Sequence, residues 1–394
     1  MNMPTETSGK CSRPKAVVGE GGHARISREQ SEGMNLVAVH GAPVSEFHLT
    51  VTPRRNESPA ALVKRLAEIL NSLEATVVRQ IAFGSIAASK PTMAALRQAF
   101  DTLDLPLTWV EGLGCDGSSL AGIQTHAITG VEVQALPFGA NSSARIWRDT
   151  AATHCVMSSL GPTRKELSAP EQTRETLQNL QRNLAQAEMT LKHVARTWFF
   201  LDDILSWYGD FNRVRNEFFE RSELRPGSLP ASTGVRGRNP VGSALTAAAW
   251  AVKPHSDAGN GLHFVPSPKQ CAATAYGSAF SRAVEISSSG HRQLLVSGTA
   301  SIEPGGKTAH AGDVRAQIEL TMEVVGAILA SRGLGYNDVS RATAYFKSGA
   351  DLPVFQRWLE ENELRAMPVV NTGCEICRED LLFEIEVDAI AAGC

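Results

Sequence analysis

The sequence predicts an α+β protein built from two tandem units, each a mixed β-sheet packed against helices. Short β-prone runs alternate with amphipathic stretches along the 394 residues, a pattern typical of sheets covered by helices. Residues of similar character recur at a constant offset of 145 positions, which indicates a duplicated unit rather than a solenoid. The terminal strand adds a functional signal, because it carries three acids on one face.

Bulk composition excludes two classes of partner. Hydrophobic residues make up 43% of the chain and the formal net charge is −3, which predicts no broad basic surface for nucleic acid or an anionic membrane. No apolar run reaches the ~18 residues of a transmembrane helix. We therefore expect neither nucleic acid nor a membrane as a partner.

The first 33 residues differ from the rest of the chain. Residues 1–33 are polar and lack the apolar core of a secretory signal, so they predict a disordered leader. The seven cysteines are an odd number and are scattered, which fits a reducing compartment better than a disulfide framework. A cytoplasmic location follows from this pattern.

The predicted N-terminal domain spans residues 34–254. Its clearest elements are two helices: 59–73, with leucines at a spacing of four, and 170 to about 194, where Ser168 and Glu171 predict a capping box. The remaining predictions are helices at 90–103 and 204–220, and strands at 34–51, 76–81, 107–111, 131–136, 196–201 and 244–252.

The predicted C-terminal domain spans residues 255–394 and repeats the order of the first unit. It contains strands at 292–297 and 341–346, helices at 312–332 and 352–361, and the terminal strand. The alternative, that any two amphipathic helices can be aligned in this way, stays open. The matching pairs are Gln172/Gln317, Thr176/Thr321, Leu180/Val325, Leu184/Leu329, Val194/Val339, Arg196/Arg341 and Phe200/Tyr345.

The terminal strand places Glu384, Glu386 and Asp388 on one face, since side chains on a strand alternate. Such a face is either solvated or functional. The corresponding strand of the first unit, 244–250, contains no acid. Acids in one copy alone favour a single functional site on the second unit.

Several motifs resemble a known family. Ser297-Gly298-Thr299-Ala300-Ser301 and the terminal Ile385-Glu386-Val387-Asp388 resemble the RidA/YjgF-like family. More narrowly, Cys377-Arg378-x-x-Leu381-Leu382-Phe383-Glu384, with Arg196-Thr197-Trp198 and residues 230–234, resembles the chorismatases within that family. The resemblance covers about residues 145–394. It implies two RidA-like units that cleave the enol ether of chorismate to pyruvate and a hydroxybenzoate, without metal or organic cofactor.

The resemblance also implies roles for single residues. The family's catalytic glutamate falls on Glu384, and its subtype-distinguishing positions fall on Cys377, in the catalytic pocket, and on Gly290. Cysteine and glycine at these positions favour 3-hydroxybenzoate over a dihydroxy-cyclohexadiene acid. The segment 199–208 departs from the family pattern, so the product and the substrate stay open.

Enol-ether cleavage begins with protonation of the methylene carbon, so the acid must be protonated near neutral pH. An unperturbed glutamate has a pKa near ~4.3 and would be ionised. Burial and a neighbouring carboxylate both raise this pKa. We therefore expect Glu384 as the proton donor, with Glu386 and Asp388 as electrostatic support.

Chorismate is a dianion, so its site needs cationic clamps, for which arginine is best suited. Each candidate also has a plain structural explanation, as a surface, packing or turn residue. The candidate clamps are Arg378, Arg196 and Arg215, and the candidate hydrogen-bond donors are Tyr208 and Thr233.

Cys374-x-x-Cys377 does not predict a metal or redox centre. A structural zinc site needs four ligands, and no second pair stands at a suitable spacing. A thioredoxin-type pair would open a helix, whereas this pair leads into a strand.

Two other functions stay open. One is a RidA-like imine or enamine deaminase, although Asn371 stands where such enzymes keep an arginine. The other is a non-catalytic protein of the same fold that binds small acids. The oligomeric state is either a monomer or a homotrimer.

Overall fold

The computed structural model describes residues 24–138, 142–222, 224–256, 261–288 and 290–393. Within these residues the chain forms three mixed sheets, each covered by two long helices. No helix in this part of the chain is both long and apolar enough to cross a membrane.

The first sheet lies within residues 25–129 and has the strand order β1-β2-β3-β7-β4-β5. Its helices pack on the apolar face of these strands. The elements are β1 (Arg25–Ser31), β2 (Met34–His40), β3 (Ser45–Val51), α1 (Pro59–Ser72), β4 (Thr76–Gly84), α2 (Ile86–Ala99), β5 (Leu107–Glu111), β6 (Leu113–Gly114) and β7 (Leu120–Thr129).

The second sheet lies within residues 134–254 and has the order β12-β11-β13-β10-β9-β8. The elements are β8 (Gln134–Phe138), β9 (Ser142–Arg148), β10 (Ala152–Leu160), α3 (Ala169–Gln186), β11 (Val194–Leu201), α4 (Ile204–Arg221), β12 (Ala231–Arg236) and β13 (Leu245–Pro254). Helix α3 begins at the predicted capping box of Ser168 and Glu171, but it ends at Gln186 and not near Val194, because β11 already starts there.

The third sheet lies within residues 262–392 and has the order β14-β15-β16-β19-β17-β18, with β6 of the first unit added at its edge. The elements are β14 (Leu262–Val265), β15 (Ala283–Ser288), β16 (His291–Ala300), α5 (Val314–Ser331), β17 (Val339–Phe346), α6 (Leu352–Glu361), β18 (Val369–Gly373) and β19 (Phe383–Ala392).

The three sheets share one topology. Across each sheet, three antiparallel strands lie next to the strand that comes last in the sequence of the unit. Beyond that strand lie two strands that run parallel to each other. The predicted α+β class and the repetition of one unit are confirmed, but the described residues form three units of this strand order and not two. The predicted N-terminal domain, 34–254, therefore holds two sheets, which are called the first and second units from here on. The predicted C-terminal domain is the third unit.

The predicted leader is wrong for residues 25–31, which form β1 and pair with β2. β1 pairs regularly with β2, but most of its side chains are exposed. Its polar composition therefore did not indicate a strand. Residues 1–23 lie outside the described residues.

The units meet around three arginines at equivalent positions. Arg79, Arg196 and Arg341 each stand directly after a break in register with the last strand of their unit. Four residues further on, the rings of Phe83, Phe200 and Tyr345 pack together, with centroids 6.1 Å and 6.0 Å from Phe83. The predicted correspondence of Arg196 with Arg341 thus extends to a pseudo-threefold arrangement.

Candidate active site

The terminal strand β19 lies between β16 and β17 in the interior of the third sheet. Glu384 is 5% exposed, and Glu386 and Asp388 are both 0% exposed. The acidic face is therefore not a solvated face, and the buried charges need partners to be stable.

The register of each sheet identifies the equivalents of these acids. Tyr345 pairs with Glu384 in the third sheet, whereas the equivalent Phe200 pairs with Thr246 and Phe83 pairs with Gly122. Neither other unit has an acid at this position. The inference that one unit alone carries the acid is thus supported by the pairing of all three sheets.

Glu386 is held by donors from two units. Its carboxylate accepts hydrogen bonds from Arg341 Nη1 at 2.6 Å, from Arg196 Nη2 at 2.7 Å and from Trp198 Nε1 at 3.2 Å. The hydroxyl of Thr233 also donates to it at 2.5 Å. These partners, the arginine charges first among them, hold the pKa of Glu386 below its usual value despite burial.

Asp388 is likewise ionised. Arg341 Nε donates to its carboxylate at 2.7 Å, and Arg79 Nη2 lies 3.9 Å away. The Arg341 charge opposes the effect of burial and lowers the pKa of Asp388. The central arginines therefore neutralise Glu386 and Asp388, which fixes both carboxylates in place.

Glu384 has the opposite character. It forms no ion pair among the described residues, and burial, followed by the charge of Glu386, raises its pKa to about 8. Its carboxyl group is therefore mostly protonated at neutral pH. Gly298 provides the space, since a Cβ atom at that position would lie 2.1 Å from Oε1 of Glu384.

Glu384 faces a pocket between the second and third units. Helix α4 and strand β12 form one wall, and β16 and the segment before β19 form the other. The lining residues are Tyr208, Arg215, Ser232, Gly234, Tyr276, Ser278, Phe280, Arg282, Gly298, Ala300, Ile302, Cys377, Arg378, Leu381 and Glu384.

Three arginines in this lining have no carboxylate partner among the described residues. Arg215 donates to Asn212 Oδ1 at 2.6 Å, Arg282 donates to the Cys271 carbonyl at 2.8 and 3.0 Å, and Arg378 donates to the Gly306 carbonyl at 2.8 Å. These bonds orient the guanidinium groups without neutralising them. The pocket is therefore cationic around one protonated acid.

The structure brings together five of the predicted site residues in this pocket: Tyr208, Arg215, Cys377, Arg378 and Glu384. Burial, followed by the charge of Glu384, raises the pKa of Cys377 to about 12, so this residue is a neutral thiol and not a thiolate nucleophile. It lines the wall of the pocket.

One predicted clamp, Arg196, and one predicted hydrogen-bond donor, Thr233, lie elsewhere. Arg196 and Thr233 are fully buried and outside the pocket lining. Both bond to Glu386, and Arg196 Nη2 also donates to Thr233 Oγ1 at 2.5 Å. Their predicted contact with substrate is therefore wrong, because the buried Glu386 charge needs them as partners.

The prediction for Gly290 is also wrong. Gly290 lies in the turn between β15 and β16 with a φ of +81°, and its carbonyl accepts hydrogen bonds from the Ala24 and Gly393 amides. The length of β16 separates it from Gly298 by roughly 25 Å. Its glycine is required by the turn and not by the pocket.

Sequence reasoning missed Arg282, Tyr276 and Gly298 as site residues. Arg282 and Tyr276 come from an irregular segment before β15 that shows no periodic pattern, although Arg282 stacks with its cation 5.4 Å from the Tyr276 ring. Gly298 was visible in the Gly-Thr-Ala-Ser motif, but its role depends on the position of Glu384 across the sheet.

One group of metal-type ligands lies away from this pocket. Glu46, His48 and His126 are buried between the first and third units, and their ligand atoms lie within 4.8 Å of one another. The Nε2 atom of His126 lies 3.0 Å from the Glu46 carboxylate. Within the described residues no such group adjoins Glu384.

A sequence model of the endoribonuclease L-PSP family matches residues 158–238 and 272–391, just over half of the chain. The chain belongs to this family. The two matched segments fall on the second and third units, which are the units that form the pocket. The predicted RidA/YjgF-like relationship is confirmed.

Comparison with individual proteins is consistent with the narrower resemblance. The chain is 30% identical over 226 residues to a 3-hydroxybenzoate synthase of Streptomyces hygroscopicus, which covers 50% of this chain and 64% of that protein. It is 29% identical over 218 residues to a chorismatase of Streptomyces rapamycinicus, which covers 49% and 63%. The matches thus span somewhat less than two thirds of these relatives.

The fold has a solved counterpart. A crystal structure of a chorismatase superposes with a TM-score of 0.61 at 21% identity, over 80% of this chain and 93% of the other. This similarity extends beyond the two matched units, and it shows that the overall architecture is that of a known chorismatase.

Proposed function

We propose that the protein is a chorismatase-type enzyme that cleaves the enol ether of chorismate to pyruvate and a hydroxybenzoate, with 3-hydroxybenzoate favoured. One observation carries this proposal: a protonated, buried Glu384 faces a pocket with three unneutralised arginines. The similarity to a 3-hydroxybenzoate synthase and to chorismatases supports the choice of substrate.

Glu384 donates its proton to the methylene carbon of the enol ether, which gives an oxocarbenium ion. A pKa of about 8 keeps the group protonated at neutral pH and close to the value that favours proton transfer. The carboxylate that remains stabilises the adjacent positive charge. Water then adds to the oxocarbenium carbon and returns a proton to this carboxylate, and the resulting hemiketal collapses to pyruvate and the ring alcohol. Loss of the neighbouring ring hydroxyl as water takes up a proton from Glu384, and the ring returns one to it on aromatisation, so the hydroxybenzoate forms with no net change in water or in the protonation of Glu384.

Glu386 cannot serve as the proton donor, because two arginines and further hydrogen-bond donors hold it as an anion outside the pocket lining. Its role is to raise the pKa of Glu384 through its charge. Arg196, Thr233 and Arg341 act on the reaction through Glu386 and are positioning residues.

The three pocket arginines bind the two carboxylates of the substrate. Arg215, Arg282 and Arg378 surround Glu384, and a guanidinium group matches a carboxylate with two parallel hydrogen bonds. The free space of the pocket is about 50 Å³, so we expect the half-buried side chains of Arg378 and Tyr276 to move when substrate binds.

The test is incubation of the protein with chorismate, with pyruvate and the aromatic product followed separately. Wild-type protein should release both in equal amounts, and Glu384→Gln should release neither above background. Absence of turnover by wild type, or undiminished turnover by the variant, would refute the proposal. A cytoplasmic location remains a prediction from cysteine usage.

A further inference from the structure

A second cavity lies between the first and second units. It encloses about 610 Å³, within the range of small-molecule sites. Its walls come from α2 and β5 of the first unit and from β10 and β13 of the second.

The place of this cavity between the first and second units is equivalent to the place of the candidate active site between the second and third units. By strand register, Leu107 and Trp109 of β5 correspond to Ser232 and Gly234 of β12. Both members of each pair line their own cavity. The two cavities are thus equivalent sites of one repeated architecture.

The other walls correspond as well. By the same register, Ser159 corresponds to Gly298, and Gly161 corresponds to Ala300. Both pairs lie at or just after a break in the pairing with the last strand of their unit. Arg97 lies eleven residues after the start of α2, as Arg215 does in α4. The second cavity therefore retains an arginine from the same helix position.

The acid is missing from the second cavity. Thr246 occupies the place of Glu384, and its hydroxyl donates to the Leu160 carbonyl at 3.3 Å. The third equivalent position is closed, because a Cβ atom at Gly122 would lie 2.8 Å from Val370 Cγ2. Of the three positions, one is acidic, one is open without an acid, and one is filled.

The lining of the second cavity defines a chemical class of ligand. Leu105, Leu107 and Trp109 form an apolar wall. Leu103, 87% exposed, and Val241, 37% exposed, lie at its rim. They are two of the three large hydrophobic side chains exposed among the described residues, so unsatisfied apolar surface concentrates here.

The lining of the second cavity has a net positive charge. Arg97 and Lys165 have no carboxylate partner among the described residues, whereas the acid of the lining, Asp104, is paired with Arg145 at 3.0 Å. The buried indole Nε1 of Trp109 also has no hydrogen-bond partner. A flat apolar wall with cations and a free donor suits an aromatic carboxylate.

We propose that the cavity between the first and second units is a second, non-catalytic site that binds an aromatic carboxylate of the benzoate class. Arg97 and Lys165 bind the carboxylate, and Trp109 packs against the ring. Without an acid at position 246, the ligand is bound and not converted. Binding at this site requires no turnover, so it does not depend on the proposed reaction.

Photolabelling of the full chain with 4-azidobenzoate, followed by peptide mass spectrometry, tests this site directly. Label is expected on peptides from residues 93–109 or 239–246, and an excess of benzoate should prevent it. Arg97→Ala/Lys165→Ala should weaken labelling about a hundredfold, since each lost charged contact contributes on the order of 1.4 kcal/mol, which is a factor of about ten.

The matched control is Lys192→Ala/Arg221→Ala, which removes two exposed cations outside both cavities and should label as wild type does. Absence of label from these peptides in wild type, or equal labelling of the Arg97→Ala/Lys165→Ala variant, would overturn the proposal. Turnover of chorismate is measured on the same preparations, so failure of the proposed reaction is scored independently of labelling.

Discussion

Glu384 and Glu386 lie two residues apart on the same face of one buried strand, and the protein gives them opposite protonation states. Arg341 and Arg196 lower the pKa of Glu386, and burial together with the charge of Glu386 raises that of Glu384 to about 8. The proton on Glu384 is therefore kept first by burial and then by the anion at Glu386.

Activity should therefore fall as pH rises through about 8. The reaction requires protonated Glu384, and that form is lost above its pKa. The pH profile of kcat/KM for chorismate measures this value in the free enzyme. A profile that keeps rising up to pH 10 would contradict Glu384 as the proton donor.

Glu384→Gln should stabilise the fold at pH 7. The raised pKa means that folding is favoured when the group is protonated, and this stabilisation is lost as pH rises from the unfolded value of 4.5 towards about 8. At pH 7 the variant should gain roughly 2–4 kcal/mol in the free energy of unfolding. At pH 4 the group is mostly protonated in both states, so the difference should be small.

Denaturant unfolding of both proteins at the two pH values measures this difference. An equal gain at pH 4 and pH 7 would indicate that the amide acts through packing and not through the charge of Glu384.

Gly298→Ala should abolish activity with little loss of folded protein. The added Cβ atom would lie 2.1 Å from Oε1 of Glu384, so the acid must turn away from the reacting carbon. Gly305→Ala is the matched control, because a Cβ atom there meets nothing within 4 Å. Comparable activities of the two variants, measured as pyruvate release, would argue against this role of Gly298.

Arg378→Ala should raise KM for chorismate about tenfold to a hundredfold with a smaller effect on kcat. Arg378 is part-buried at the pocket wall, and its guanidinium donates a hydrogen bond to the Gly306 carbonyl with no carboxylate partner among the described residues, so it can bind a carboxylate without supplying a proton. Steady-state kinetics separate the two constants. Arg221→Ala, on the outer part of α4, should leave both unchanged.

Much of the fold could be predicted from periodicity. The capping box before α3 and the 145-residue offset between Arg196 and Arg341 are local patterns, and both correspond to the structure. The first unit escaped detection as a repeat, because Arg79 does not precede Arg196 by the 145 residues that separate Arg196 from Arg341, and only the strand register shows the equivalence.

The candidate site was predictable where one strand carried the signal. Glu384, Cys377 and Arg378 are neighbours in sequence, and all three line the pocket. Arg196 and Arg282 could not be assigned, since a sequence does not show whether an arginine faces a buried carboxylate or an open pocket. That distinction arises from packing between units.

The three arginines that meet near the centre of the molecule show how the three junctions between units can diverge in sequence. In an assembly of three identical subunits, any substitution appears at all three junctions at once. Here Arg79, Arg196 and Arg341 belong to one polypeptide, so each junction can change independently. The same architecture can therefore keep a proton donor at one junction, an open cavity at the next and a filled contact at the third.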